Sequence, residues 1–487
     1  SVGEMAEKPG GVRMDLKLAP LKYAGLAPWE ILVSEAQERM TLSVPPEKVE
    51  ALLTVSARRE VESTVLGEFT DSGVFHVLYG EETVVHLPME FLHEGNPQLQ
   101  IVARHEERRF EEPTLDETED FSVTAEAMLA RFGIASNEHI ARHYDHEVKA
   151  LTVVKPFVGA AADVPAEASV LLLQHGGQRG YVLSEGVNPF YSDIDAYAMA
   201  TSVVDLAVRR VLCPGPPLSR VALLDNFCWP DPVQSDANPD GAYKAAQLVR
   251  ACRGLYDACL AYGAPLISGK DSMKNDSTMG GVRVSVPPTL LLSAIGQIDD
   301  VAAAVTLDPK SAGELVYLVG QTADELGGSE YYRHLGASRG LRAKLGDAAP
   351  YVGNAVPQVD LAAARLLYRA FALTTGAGLI RSAATPALGG LALCLARMAM
   401  AAELGMDVEL PDDALTPAAA LFSESNARFV VTVAPPDAAA FETLLAGRPV
   451  QRVGLVTQEP KLVVRRCGRV LIDRDVAILK ASYKSAQ

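Results

Sequence analysis

The sequence predicts a multidomain protein of mixed α/β and α+β class in which one α/β unit occurs twice, once complete and once truncated. Three observations carry this. The chain has 487 residues, 48% of them hydrophobic, which at roughly 100–200 residues per domain exceeds one core and implies about three units. A pair of similar words recurs 389 residues apart. Between the two copies, strand-like runs alternate with long helical patterns, as layered α and β domains require.

The repeat comes first in the chain and in the argument. Ile31 to Val44 reads ILVSEAQERMTLSV and Ala420 to Val433 reads ALFSESNARFVVTV, so Ser34, Glu35 and Arg39 align with Ser423, Glu424 and Arg428, each word leading into an alternating apolar run of strand type. Upstream, MDLKLAP from Met14 resembles MDVELPD from Met406, an offset of 392; downstream, the segment with Gly67 resembles that with Gly454, an offset of 387. The second copy is preceded by a helix pattern at 359–373, a strand at 378–381 and an apolar helix after Gly389-Gly390, where the first copy has only residues 1–10. A domain lacking those elements leaves a sheet edge unpaired. The expected organisation is a truncated C-type α/β domain at 1–100, linker and helix at 101–152, an N-type domain at 153–308 and a complete C-type domain at 309–487.

Arg104 to Asp120 is charge-dense and reads as linker, and Phe121 to Tyr144 has helical periodicity with a start signal at Asn137-Glu138. The N-type domain should hold strands at 169–173, 180–183, 221–225, 265–268 and 289–297, with helices at 196–212 and 241–262.

Composition excludes several classes. A net charge of −17 repels polyanions, and no basic run interleaved with aromatics appears, so nucleic acid is not an expected partner. Residues 391–404 contain Arg397 and Glu403 and fall short of a spanning helix, so they read as a buried helix rather than a membrane segment. The six cysteines are scattered and no export signal opens the chain, which points to the cytoplasm.

LISGKDSMKND, Leu266 to Asp276, is the most informative segment. A strand runs into Ser268-Gly269, after which a loop offers the Gly269 backbone, the Lys270 ammonium, the Asp271 carboxylate and the Ser272 hydroxyl: groups suited to a phosphate and Mg²⁺, or to a polar turn. LLDNFCWPDP, from Leu223, ends a strand on Asp225 and Asn226 beside Phe227 and Trp229, fitting a ligand crevice or a capped turn. Glu185, Asn188, Asp193 and Asp195 lie on a loop entering a helix and suit metal binding or helix capping. His139, His143 and His146 share a helical face without the glutamate of a zinc hydrolase motif, so a zinc enzyme is rejected. In each repeat word the arginine can pair with its own glutamate.

LVSEAQERM, LLDNFCWPDP, LISGKDSM, DELGGSEYY (Asp324 to Tyr332) and LFSESNARFVV, in this order across essentially the whole chain, together resemble the phosphoribosylformylglycinamidine synthase family. The resemblance implies the aminoimidazole ribonucleotide synthetase-like superfamily, with ferredoxin-like N domains that pair into a central barrel and α/β C domains, and a chain holding the C-terminal portion. It implies an ATP-dependent carbon–nitrogen ligase of purine biosynthesis, with Mg²⁺, acting on formylglycinamide ribonucleotide with ammonia from a glutaminase subunit, alongside a small bridging subunit. It places substrate binding on Glu35, Gln37 and Ser272, nucleotide binding on Asp225, Gly269 and Lys270, and metal on Asp271, where Lys270 stands at the family's usual metal-ligand position. Ala36 replaces a serine of the family word, leaving only backbone contact there.

Further departures cluster. DLAVRR, Asp205 to Arg210, puts Leu206 and Arg210 where the family has two metal ligands, and Ser382 to Thr385 replaces a serine-alanine-histidine-aspartate loop, so a second nucleotide site should be degenerate. The catalytic histidines belong to an N-terminal half that this chain lacks, so no general base is named and the chain alone should be inactive. Two other readings stand beside this one: a non-catalytic scaffold half with degenerate nucleotide sites, and another member of the superfamily, which the duplicated C domain disfavours.

Overall fold

The computed structural model describes residues 1–115, 120–144, 147–340 and 351–485, in two units, Ser1–Gln100 and Ile101–Gln487. The first unit runs α1 (Val2–Glu7), β1 (Val12–Asp15), α2 (Pro28–Val33), α3 (Val49–Arg58), β2 (Gly67–Phe69), β3 (Val74–Tyr79), β4 (Glu82–Pro88) and α4 (Met89–Glu94). Its sheet has the order β2-β1-β3-β4, with β1 and β3 parallel. Alternate residues Val12, Met14, Phe75 and Val77 fill one face and meet Ala6, Ile31 and Met89, which is how a half-buried sheet makes a core.

The second unit begins with α5 (Ser122–Leu129), α6 (Glu138–Ala141), β5 (Thr152–Val154) and a small pair, β6 (Phe157–Val158) and β7 (Val164–Pro165). Next come β8 (Ser169–Leu172), β9 (Gly180–Val187), α7 (Ala196–Leu212), β10 (Val221–Cys228), α8 (Gly241–Tyr262), β11 (Leu266–Ser272), the hairpin β12 (Asp276–Met279) and β13 (Val282–Ser285), and β14 (Thr289–Ile298). A six-stranded sheet of order β11-β10-β14-β9-β8-β5 results. Asp195 caps α7 by accepting from the Tyr197 amide, and Gly263, at φ 68°, ends α8 in the left-handed conformation that glycine adopts without penalty. The helix α7 covers one face of the sheet and α8 packs on α7. Toward the other face Leu183 and Val187 are exposed, and the edge strand β11 exposes Leu266 and Ile267.

The rest of the chain forms β15 (Leu315–Val319), α9 (Glu330–Ser338), α10 (Leu361–Gly376), β16 (Ser382–Ala384), α11 (Gly390–Ala402), β17 (Gly405–Leu410), α12 (Pro417–Phe422), β18 (Phe429–Val433), α13 (Ala438–Leu444), β19 (Val450–Thr457), β20 (Lys461–Arg466), β21 (Arg469–Asp475) and α14 (Val476–Lys484). Their sheet has the order β16-β18-β15-β19-β17-β20-β21. The helix α11 is almost wholly buried, and among the described residues no helix is long and apolar enough to cross a membrane.

The repeat is written into the backbone. The helices α2 and α12 begin 389 residues apart, each with proline at its first position, and so do α3 and α13. Glu38 and Ala427, also 389 apart, both have positive φ, 63° and 53°. The hairpins β3–β4 and β20–β21 pair Val77 with Val85 and Val464 with Ile472, and each shifts register immediately after that pair. Gly67 and Gly454 both cross a neighbouring strand so closely that a Cβ would collide with the Arg13 or Asp407 carbonyl.

Several sequence expectations need correction. Met14 pairs in parallel with Val77 as Val408 does with Val464, so the β1 equivalence is offset by 394 rather than 392 residues; a slip of two keeps the buried face and is invisible to pattern matching. Residues 40–44 of the first copy form no strand, whereas their counterpart β18 does. The strand placed at 378–381 lies at 382–384, after the turn at Gly378. The helical stretch of 121–144 breaks into α5 and α6, and α5 packs into the last domain's core with Leu391 and Phe422. Residues 116–119 of the linker and His146 of the histidine face lie outside the described residues. The charged segment before them is pinned: the Arg104 amide donates to the Ala242 carbonyl, His105 stacks on Tyr243, and the Asn354 amide donates to Glu112 at 2.7 Å.

Candidate functional site

The Asp225 and LISGKDS segments meet side by side, but not as a loop. The strand β10 runs past Asp225 to Cys228 and β11 runs through Gly269, Lys270 and Asp271 to Ser272, in parallel register with Asp225 opposite Gly269 and Phe227 opposite Asp271. This corrects the expected strand ends, and the pleat then sorts the side chains. A Cβ on Gly269 would stand 2.7 Å from the Asp225 carboxylate, so glycine is what allows that carboxylate its place. Asp225 and Asp271 lie close enough to interact. Burial raises the Asp225 carboxyl above its ordinary value, and the Asp271 charge adds to this. Lys270 and Ser272 alternate to the opposite face of the strand. The Ser272 hydroxyl is within 3.1 Å of the Asn275 side chain, whose amide also holds the Trp229 carbonyl, and buried Trp229 donates its indole N–H to the Lys244 carbonyl. The acidic residues thus share one side of an edge strand, and the hydroxyl belongs to the turn that follows it.

Glu35 and Gln37 are exposed in the first unit, on the loop after α2. The Arg39 guanidinium donates to the Ser34 carbonyl at 2.9 Å, as Arg428 does to the Ser423 carbonyl at 2.6 Å. In both copies the arginine therefore braces its own loop and does not pair with the neighbouring glutamate. The carboxylates are left for other partners.

Glu424, the counterpart of Glu35, is buried. It accepts from the Tyr191 hydroxyl at 2.6 Å, the Gly389 amide at 2.8 Å and the Glu330 amide at 3.0 Å. Those amides open α11 and α9, where helix dipoles favour an anion. Burial nevertheless pushes the Glu424 carboxyl up to about 7. Beside it, Asp205 accepts from Arg209 Nε at 2.7 Å, from the hydroxyls of Tyr262 and Tyr368, and from the Ala427 amide. A cavity of about 20 Å³ remains here, lined by Tyr191, Leu206, Arg209 and Glu424 among others. It has room for one water.

Next to this seam, buried Glu167 accepts from Thr385 at 2.5 Å and pairs with Arg397 at 3.0 Å, while Arg210 reaches Glu185 at 3.0 Å and stands 3.8 Å from Glu167. Burial opposes ionisation of Glu167, but Arg397 and Arg210 outweigh it and hold the carboxyl below its ordinary value. Asn188 and Asp195 accept from the amides two residues on, which is capping, and Glu185 is on β9 rather than the loop where sequence placed it. Among the described residues no group of three or more His, Cys, Asp or Glu side chains is arranged to hold a metal.

Residues 1–80 and 311–467, the two copies, match the family model described as AIR synthase related protein, C-terminal domain. The Thermobifida fusca phosphoribosylformylglycinamidine synthase subunit PurL is 31% identical over 98% of this chain and 60% of its own length. The chain is similar to this synthase subunit. It spans about three fifths of the PurL length. The PurL fold is shared as well: the T. maritima PurL solved with ADP superposes with a TM-score of 0.58 at 22% identity over 94% of this chain and 61% of that one. The same protein solved with FGAR gives 0.54 at 18% over 74% and 53%. The superfamily fold read from the motifs is therefore the observed one.

The two positions expected to make a second nucleotide site degenerate lie at the Glu424 seam: Leu206 lines the cavity, and Arg210 carries a cation to Glu185 and Glu167. A nucleotide needs several hundred cubic ångströms, roughly 300 or more, so titration of the chain with Mg·ADP should show no submicromolar binding at this seam; tight binding abolished by Leu206→Glu would overturn that. The motifs left Glu424, Asp205 and Glu167 without roles. Glu424 was legible through the repeat. Asp205 and Arg209, four apart in the otherwise apolar AYAMATSVVDLAVRRVL, carry the signal of a buried pair.

Proposed function

We propose that the chain is the C-terminal portion of an ATP-dependent carbon–nitrogen ligase that converts formylglycinamide ribonucleotide and ammonia into formylglycinamidine ribonucleotide, completed by the remainder of a PurL-type subunit. The observation that carries this is 31% identity to such a subunit across 98% of the chain; solved relatives bound to ADP and to FGAR support a nucleotide and this substrate. The domain division at 100, 152 and 308 belongs to the same reading. So does the bare face of the six-stranded sheet, with Leu183, Val187 and the edge strand β11 exposed, which suits an N-type domain of the other portion. A glutaminase subunit and a small bridging subunit would supply ammonia in the cytoplasm.

In this reading Glu35, Gln37 and Ser272 bind substrate, while Asp225 and Gly269 bind the nucleotide together with Lys270, which would reach it from the other face of the edge strand β11. Neither Asp225 nor Asp271 has a salt-bridge partner among the described residues, and the lack of a side chain at Gly269 lets the Asp225 carboxylate lie against β11. That donor set fits Mg²⁺, which takes one or two carboxylates and completes its shell with water and phosphate. Bound there, Mg²⁺ would neutralise charge on a transferring phosphoryl group. Asp271 would hold it, and the Gly269 backbone would let the phosphates approach.

The chain alone should give no product above background from ATP, substrate and ammonia; adding the missing portion should restore turnover. Turnover by the chain alone would end this reading. In the assembled enzyme, Asp271→Asn should lower kcat by roughly ten- to a hundredfold and raise the Mg²⁺ requirement, as changes around a metal typically do, with the melting temperature unchanged. An unaltered Mg²⁺ profile would remove Asp271 from the site.

A further inference from the structure

Residues 101–109 form no helix or strand, and their side chains are exposed. A charged stretch of this kind ordinarily serves as an extended, solvated linker. This one is tied to a single turn of the second unit. The Arg104 amide donates to the Ala242 carbonyl at 2.9 Å, the His105 ring stacks on Tyr243 with centroids 6.4 Å apart, and the Arg108 guanidinium lies 3.8 Å from the centre of the same ring. Tyr243 is buried in the first turn of α8. The face of its ring attracts the guanidinium, so the linker grips that turn through an aromatic side chain.

Consecutive contacts join the turn to the end of β11. Lys244, the residue after Tyr243, presents its carbonyl to the indole N–H of Trp229 at 3.1 Å. Fully buried Trp229 donates its amide to the Ser272 carbonyl at 2.8 Å and accepts the Asn275 amide at 3.0 Å. The Asn275 side-chain amide then closes on the Ser272 carbonyl at 2.8 Å and on its hydroxyl at 3.0 Å. The Lys244 ammonium holds the turn from its other side, donating to Asn238 at 2.8 Å and Ser285 at 3.0 Å. A Cβ on Gly241 would stand 2.5 Å from the Val233 carbonyl, so the turn also packs tightly against the loop beneath it.

Resting on the reading that Ser272 binds substrate, we infer that Tyr243, gripped by residues 104–108, is a positioning residue for Ser272 and acts through Trp229 and Asn275. Without its ring the first turn of α8 loses the linker's grip, and the Lys244 carbonyl can leave the Trp229 indole. That would strand a buried N–H, which the Trp229 backbone and the 272–275 turn relieve by shifting. A binding group displaced by about 1 Å loses much of its effect. Gly269 and Asp271 lie inside the ladder with β10 and keep their places. The loss therefore falls on the substrate and spares the nucleotide and Mg²⁺.

The test combines steady-state kinetics of the assembled enzyme with amide hydrogen exchange of the chain alone. Tyr243→Ala should raise KM for formylglycinamide ribonucleotide about tenfold while kcat and KM for ATP change by less than about twofold, the pattern of lost substrate binding. Tyr243→Phe keeps the ring and should restore the parental KM. Arg108→Ala, at an exposed side chain that leaves the core intact, should raise the same KM about threefold. In a Ser272→Ala background neither change should raise KM further, because the group they place is gone. Exchange at the Asn275 amide should quicken roughly tenfold in Tyr243→Ala, with residues 255–262 unchanged. A KM increase that persists in the Ser272→Ala background, or parental kinetics and exchange in Tyr243→Ala, overturns the positioning role and leaves the ligase reading standing. An assembled parent enzyme that gives no product overturns the ligase reading and this role with it.

Discussion

Replacing Asp205 with alanine should destabilise the second unit by about 3–5 kcal/mol, the usual cost of breaking a buried ion pair. Asp205 is fully buried and accepts from Arg209, Tyr262, Tyr368 and the Ala427 amide, joining α7, α8, α10 and the loop before β18. Alanine would leave the Arg209 guanidinium, 2% exposed, with only the Pro386, Arg428 and Asn426 oxygens as partners and no counter-charge. Two hydroxyls would also lose their acceptor. Asp205→Ala combined with Arg209→Met should recover part of the loss, because the second change removes the stranded charge. Denaturant unfolding of the three variants measures this. A single-variant loss below about 1 kcal/mol, the range of an exposed pair, would show that the network carries little of the joint.

What was legible in the sequence follows from what each signal depends on. The helices α7 and α8 were read with their observed ends because Asp195 caps one and Gly263 stops the other, and such local signals survive any tertiary arrangement. The repeat was legible because proline starts, the Ser-Glu word and the bracing arginine recur at fixed spacing. The two-residue slip of β1 was not, since apolar alternation is unchanged by a shift of two. Residues 40–44 read as a strand and form none, because a strand exists only with neighbours to bond to, and their neighbours' counterparts are not in the unit.

At the candidate site, sequence named the right words but the wrong geometry. Gly269 to Ser272 read as a loop because Gly, Asp and Ser are turn formers. Pairing with β10 overrides that preference and throws Lys270 and Ser272 to the face opposite Asp271. Residue type alone does not reveal such a division, which depends on the partner strand's register. The arginines of the repeat words were matched to adjacent glutamates on charge, yet carbonyl oxygens within the same loop are nearer.

Glu424 should make stability fall with rising pH. Its carboxyl moves from an ordinary 4.5 to about 7 on folding, chiefly through burial, with the charge of Glu330 adding to the shift; Tyr191 and the amides of Gly389 and Glu330 oppose it. Between these values the folded state binds the extra proton, so the contribution is fully present below about 4.5 and is lost as pH rises through 7, amounting in all to about 3.5 kcal/mol at roughly 1.4 kcal/mol per pKa unit. Glu424→Gln keeps the shape and an oxygen for the two amides but has nothing to ionise. The stability of the parent minus that of the variant, from denaturant unfolding at pH 5 and pH 8, should therefore drop by about 2.5 kcal/mol, while every other titrating group cancels in the difference. If the two helix N-termini instead keep Glu424 charged throughout, the difference will stay level or rise with pH, and burial would not be the stronger influence on this carboxylate.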